Sequence, residues 1–278
     1  MKIIYNCIGN NYNRTRCADE RILDALLLLL NPPKAALIAD IGAGTGNYSY
    51  ELAKRGYLVH ALEPSEKMLE QKLDHRNLTW YSGFAEAMPF GNDCYNGVLC
   101  TMATHHFSSL ESAYSEIHRI LVPRGRLVVF TADPRAVDDD CWLKEFFSPQ
   151  FRLACDILPE RDSVIALAES IFGTKAAITH FPLPHDLKDW FFYSAWRYPE
   201  KYLQDDFRNG ISCFSMCVEE PTGFAVKKLS SDLQNGTWDK KYGHFRKMEH
   251  YNGGYYFLSI EKKELPPSKE GVKLKTVL

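Results

Sequence analysis

Short apolar runs and amphipathic stretches take turns along the first half of this chain. Residues 36–41, 57–62, 78–81, 96–101 and 126–131 are mainly apolar runs of strand length, too short for a buried helix. Between them the period changes. Over residues 110–121, Ala113, Ile117 and Leu121 share one helical face, with Glu111, Glu116 and Arg119 off it. Helices are also predicted over residues 46–55 and 66–75, the second capped by Ser65, whose short hydroxyl can satisfy free N–H groups. Upstream, Asp19 and Glu20 lead into a leucine-rich helix that ends at Asn31-Pro32-Pro33. So much leucine predicts packing against the sheet. Five strands alternating with helices predict a mostly parallel sheet.

Beyond residue 134 the alternation lapses. Residues 141–147 and 162–172 read as helical and 176–181 as a strand. Trp190, Phe191, Phe192, Tyr193, Trp196, Tyr198 and Tyr202 then crowd one segment ahead of a last strand over 254–260. Such density suits a core. The connection is also long for a compact domain, which predicts a cap over a site, its aromatic walls suited to a flat or apolar molecule. The charged tail from Glu261, with Pro266-Pro267, is expected to be a mobile end.

Composition narrows the field. At 278 residues with 45% apolar content, the chain can build a sizeable core in one domain or a domain with an insertion. A net charge of −2 argues mildly against nucleic acid, which usually demands a basic face, without excluding a local patch; a nucleic-acid partner is not expected. Eight cysteines are scattered without paired C-x-x-C units, so no metal site is expected. With no signal peptide in view, reduced thiols and a cytoplasmic location are expected. The apolar run over residues 25–30 is too short to span a bilayer, and no membrane association is expected.

The chemistry centres on Asp40-Ile41-Gly42-Ala43-Gly44-Thr45-Gly46, where a buried strand breaks into a glycine turn and enters a helix. Glycine lets a ligand approach the backbone, and the helix start offers free N–H groups. A dinucleotide site wants G-x-G-x-x-G, but its third glycine would fall on Asn47. What stands is D-x-G-x-G-x-G. Asp40 suits a ligand carrying an ammonium group and would repel a pyrophosphate. Glu63 closes the next strand, where a carboxylate can accept both hydroxyls of a ribose.

In the order and spacing of acid, glycines and second acid, the chain resembles the class I S-adenosylmethionine-dependent methyltransferases, in particular the ubiquinone/menaquinone-biosynthesis-like group. Tyr12-x-x-x-Arg16-x-x-Asp19-x-Arg21-Ile22 is similar to a lead-in of that group, and Gly83-Phe84-Ala85-Glu86-Ala87-Met88-Pro89-Phe90 to its G-D-A-E-x-L-P-F segment. Phe84 stands where an Asp is usual, and Asn96 likewise. Residues 121–129 (L-x-P-x-G-x-L-x-V) and 196–203 (W-x-x-P-E-x-Y-L) extend the likeness. The resemblance implies a Rossmann-like, doubly wound α/β sheet of about seven strands, mostly parallel with an antiparallel last strand, plus a helical cap insertion. It implies an N-terminal segment closing over the cofactor (1–33), a cofactor-binding core (34–133 and 251–262) and a cap and substrate region (134–250).

S-adenosylmethionine is the cofactor so implied, with a small-molecule acceptor. Its candidate contacts are Arg16, Asp40, Gly42, Ala43, Gly44, Glu63, Pro64, Met68, Phe84, Ala85, Glu86 and Thr101. Arg16 also reads as a capping-loop residue paired with an acid, and Met68 also reads as core. His105 and His106, at the carboxyl end of a strand, are candidates for a base or orienting group, or for a loop-ordering and a packing residue. Methyl transfer needs alignment more than a base. Tyr12, Trp190 and Trp196 are candidate substrate contacts. A nicotinamide-dependent oxidoreductase and a non-catalytic nucleoside-binding protein stand as alternatives.

Overall fold

The structure is a computed structural model that describes residues 15–217 and 219–264. Candidate Tyr12 and the tail beyond residue 264 lie outside the described residues. Helix α1 (Glu20–Leu30) precedes β1 (Leu37–Ile41), α2 (Asn47–Lys54), β2 (Leu58–Glu63), α3 (Glu66–Leu69), β3 (Leu78–Ser82), β4 (Tyr95–Thr101), α4 (Leu110–Ile120) and β5 (Leu121–Ala132). The second half includes α5 (Trp142–Phe146), α6 (Ser148–Ile157), α7 (Arg161–Phe172), β6 (Ala177–His180), α8 (Asp205–Asn209), α9 (Ser212–Ser215) and β7 (Tyr255–Glu261).

One seven-stranded sheet runs β3-β2-β1-β4-β5-β7-β6. The first five strands are parallel, and β7 enters antiparallel between β5 and β6. Both faces are covered, as apolar residues at successive strand positions require. Ile38, Leu99 and Val128 face α1 and the second-half aromatics, whereas Ala39, Val98, Leu127 and Val129 face α4 and α7. The leucine-rich helix does pack on the sheet: Ile22, Leu23, Leu26 and Leu30 are buried, while Leu28 is 79% exposed on the far side.

Two expectations are corrected. The helix expected over residues 66–75 stops at Leu69, because tertiary bonds capture its continuation. Leu73 N–H donates to the Thr45 carbonyl (3.0 Å), and the Leu73 carbonyl accepts from the Trp80 indole (3.0 Å). Trp196, expected to meet substrate, is 0% exposed and packs on Phe245 and Tyr251, so it belongs to the core. Asn96 has a structural task, its side-chain oxygen accepting from Leu37 N–H (3.1 Å).

Candidate functional site

The parallel strands β1, β2 and β4 end together, and their carboxyl ends surround a cavity of about 270 Å³. The glycine turn forms one wall. Gly42, Gly44 and Gly46 all have positive φ, at 74°, 60° and 86°. At two of them packing adds to the demand for glycine. A Cβ on Gly42 would stand 2.6 Å from the Ala103 Cβ, and one on Gly46 2.6 Å from the Trp80 ring. The turn is tied to β2: Gly42 and Ala43 N–H both donate to the Leu62 carbonyl (2.9 and 3.1 Å).

Glu63 locks this geometry. One carboxylate oxygen accepts from Gly44 N–H and the other from Ser65 N–H, each at 2.9 Å. Burial raises its pKa, and the two backbone donors oppose the rise. Asp40, also buried, accepts from the Ser49 hydroxyl of α2. Burial pushes it up to about 7, against the Ser49 bond and with the help of the Glu63 charge. Two weakly solvated carboxyls thus stand beside one bare backbone turn.

The opposite wall comes from the loops after β3 and β4. Phe84 is 59% exposed at the cavity, an uncommon position for so large an apolar side chain. One Glu86 carboxylate oxygen gathers Ser108 N–H, the Ser108 hydroxyl (2.9 Å) and Ser109 N–H (3.2 Å) at the start of α4. Burial pushes the Glu86 pKa up, but these bonds outweigh it and the net shift is downward. The Thr101 hydroxyl at the end of β4 is sealed from solvent without a partner. Met102 follows at φ 51°, a left-handed backbone that non-glycine residues rarely adopt.

Arg16 closes the inner end. Its guanidinium pairs with both oxygens of Asp189, which is 1% exposed, and the Tyr48 hydroxyl donates to the same carboxylate (3.1 Å). The Asn47 side-chain amide donates to the Arg16 carbonyl (3.1 Å). The chain before α1, the start of α2 and the loop after residue 184 therefore meet at one buried acid.

Every described cofactor candidate lines this one cavity: Arg16, Asp40, Gly42, Ala43, Gly44, Glu63, Pro64, Met68, Phe84, Ala85, Glu86 and Thr101. The histidines divide. In a short 3₁₀ turn (Thr104–His106) their ring centroids lie 3.8 Å apart, yet His106 lines this cavity and His105 a second one of about 50 Å³. Burial and the Arg16 charge press His106 down to about 4. Burial, His106 and Arg16 press His105 well below the usual imidazole value. Both rings are neutral near pH 7. Trp190 lines the second cavity and packs on Phe207.

Sequence reasoning missed Asn47, Tyr48, Met102 and Asp189. Asn47 and Tyr48 carried a usable signal, because the first helical turn after a glycine bend faces the same ligand as the bend. Asp189 carried none, standing 173 positions from its Arg16 partner.

Residues 39–129 match the family described as a methyltransferase domain. The chain is 38% identical to a putative methyltransferase from an antibiotic biosynthesis pathway of Anabaena variabilis, with a TM-score of 0.85 over 90% of this chain and 99% of that one. It is 26% identical over 175 residues to a demethylmenaquinone methyltransferase of Corynebacterium kroppenstedtii, covering 60% of this chain and 76% of the relative. It is 30% identical over 124 residues to a malonyl-[acyl-carrier protein] O-methyltransferase of Erwinia pyrifoliae, covering 44% of this chain and about half, 47%, of that relative's length. The chain belongs to the class I S-adenosylmethionine-dependent methyltransferases, in the ubiquinone/menaquinone-biosynthesis-like group. Among the described residues no helix is long and apolar enough to cross a membrane.

Proposed function

We propose that the larger cavity binds S-adenosylmethionine and that the protein passes its methyl group to a small-molecule acceptor. One observation carries the reading: a bare glycine turn and two buried carboxyls, Asp40 and Glu63, converge on one cavity at the carboxyl edge of the sheet.

The side chains present suit that cofactor. Among the described residues, Asp40, Glu63, Glu86 and Asp189 line the cavity against a single guanidinium, Arg16, which Asp189 already pairs. That balance favours a cationic ligand and disfavours a pyrophosphate, and so speaks against the nicotinamide alternative. Asp40 stands for the ammonium group, Glu63 for the ribose hydroxyls, and Met68, Phe84 and Ala85 for the flat base. When bound, the cofactor supplies an electrophilic methyl group. The residues of this chain hold it, align it and keep water away. The contributions of Arg16 and Asp189 support the division into a closing N-terminal segment (1–33), a core (34–133 and 251–262) and a cap (134–250). A relative named for demethylmenaquinone supports a small-molecule acceptor.

Calorimetry with S-adenosylhomocysteine, the cofactor product, tests the reading. Glu63→Gln keeps the size of the side chain but loses its charge. It should weaken binding by about 10- to 100-fold, the loss expected for hydrogen bonds to a charged group. Unchanged affinity in a variant with a native melting profile would overturn the assignment.

A further inference from the structure

We propose that the second cavity receives the end of the acceptor next to its reacting atom, and that this end is compact, uncharged and carries a hydroxyl facing His105 Nδ1. The proposal rests on reading the larger cavity as the cofactor's. Arg16 and Met102 line both cavities, so the two share a wall. The adjacent imidazoles, 3.8 Å apart and tilted by 50°, repeat the division, with His106 on the larger side and His105 on the smaller. A group in the second cavity is thus one side chain away from the larger one.

Size limits what enters. Some 50 Å³ is available, and a water takes about 10–15 Å³ of such space, so a few heavy atoms fill it. Charge limits it further. The walls are largely apolar, with Pro134, Ile157, Leu158 and Phe191 among them. Among the described residues the one charged side chain on the wall is Arg16, whose charge Asp189 already balances. A charged ligand would lose its hydration here and meet no spare counter-charge.

Two wall atoms then specify a polar group. His105 Nδ1 and the Tyr193 hydroxyl are both sealed from solvent with no hydrogen-bond partner. Buried polar atoms rarely stay orphaned unless a ligand or water completes them. Neutral His105 presents either a lone pair or an N–H at Nδ1, depending on tautomer, and a hydroxyl satisfies both. Cys213 does not compete as an anionic group, because burial pushes its thiol up to about 12.

Methionine methyl groups give a readout that needs no turnover. Met68 lines only the larger cavity and Met102 lines both. In protein labelled with ¹³C at the methionine methyls, S-adenosylhomocysteine should shift Met68. A fixed Met68 signal would sink the cofactor reading and this proposal with it. Into the saturated complex one then titrates butan-1-ol, butyrate and butylammonium, alike in length and different in charge. Butan-1-ol should move Met102 and leave Met68 in place, with a midpoint at least about tenfold below those of either ion. His105→Leu and the gentler Tyr193→Phe should each raise the butan-1-ol midpoint about fivefold, the order of one lost hydrogen bond. With Met68 responsive, the proposal is overturned by a silent Met102, by ions binding as well as the alcohol, or by both variants matching wild type.

Discussion

Asp40 sits near its own midpoint at neutral pH, and that makes it the most sensitive probe of the site. Burial raises its pKa to about 7. A ligand whose ammonium pairs with Asp40 selects the ionised form, so binding strengthens as pH rises through that value. From pH 6 to pH 8 the affinity for S-adenosylhomocysteine should rise about tenfold by calorimetry, and Asp40→Asn should flatten the profile. Stability of the ligand-free protein runs the other way. A folded-state pKa above the unfolded one stabilises the fold at acid pH, and the gain is lost as pH rises through about 7. Gly42→Ala should cost about 2 kcal/mol or more in urea unfolding, since alanine pays for left-handed backbone and its methyl group strikes Ala103. Asp40, the glycines and Glu63 were legible from spacing because all sit on two adjacent strands or in the turn that follows the first. The partition of the two histidines was not, since neighbours in a 3₁₀ turn can face different cavities.

Among elements, the junction at Asp189 matters most. It joins the segment before α1, the first turn of α2 and the loop ahead of α8. Removing one partner of a buried ion pair strands the other, at a cost of about 3–5 kcal/mol. Asp189→Ala should therefore lose stability on that scale in urea unfolding and speed proteolytic cleavage around Arg16, whereas Asp186→Ala, an exposed neighbour, should do neither. Helix limits were readable where the chain supplies a stop, as Asn31-Pro32-Pro33 does for α1. The early end of α3 was not, because the bonds that end it come from Thr45 and Trp80.

For the molecule as a whole, the five parallel strands and the presence of a late strand were readable from strand-length apolar runs and their alternation with helices, whereas the antiparallel course of that last strand came from the family resemblance alone. The second half was legible as helices and a strand but not as a surface. Its aromatic residues divide between core and cavity wall in a way that spacing does not encode: Trp196 and Trp190 stand six positions apart, one sealed in the core and the other lining the second cavity. Trp196→Ala should cost about 3–5 kcal/mol of stability while the affinity of the folded protein for S-adenosylhomocysteine, by calorimetry, stays unchanged. A loss of ligand affinity without loss of stability would return Trp196 to the site.

The place of β7 bears on how the chain is born. It fills the slot between β5 and β6, yet it is translated only after the whole stretch between residues 133 and 254. Until then the outer side of β5 has no permanent neighbour, and its unpaired N–H and carbonyl groups are a template for other chains. A ribosome stalled ahead of Tyr255 would release an unfinished product with that template open. Overexpression should then yield insoluble fragments ending in that region, and slowing synthesis through codons 133–254 should lower the soluble yield.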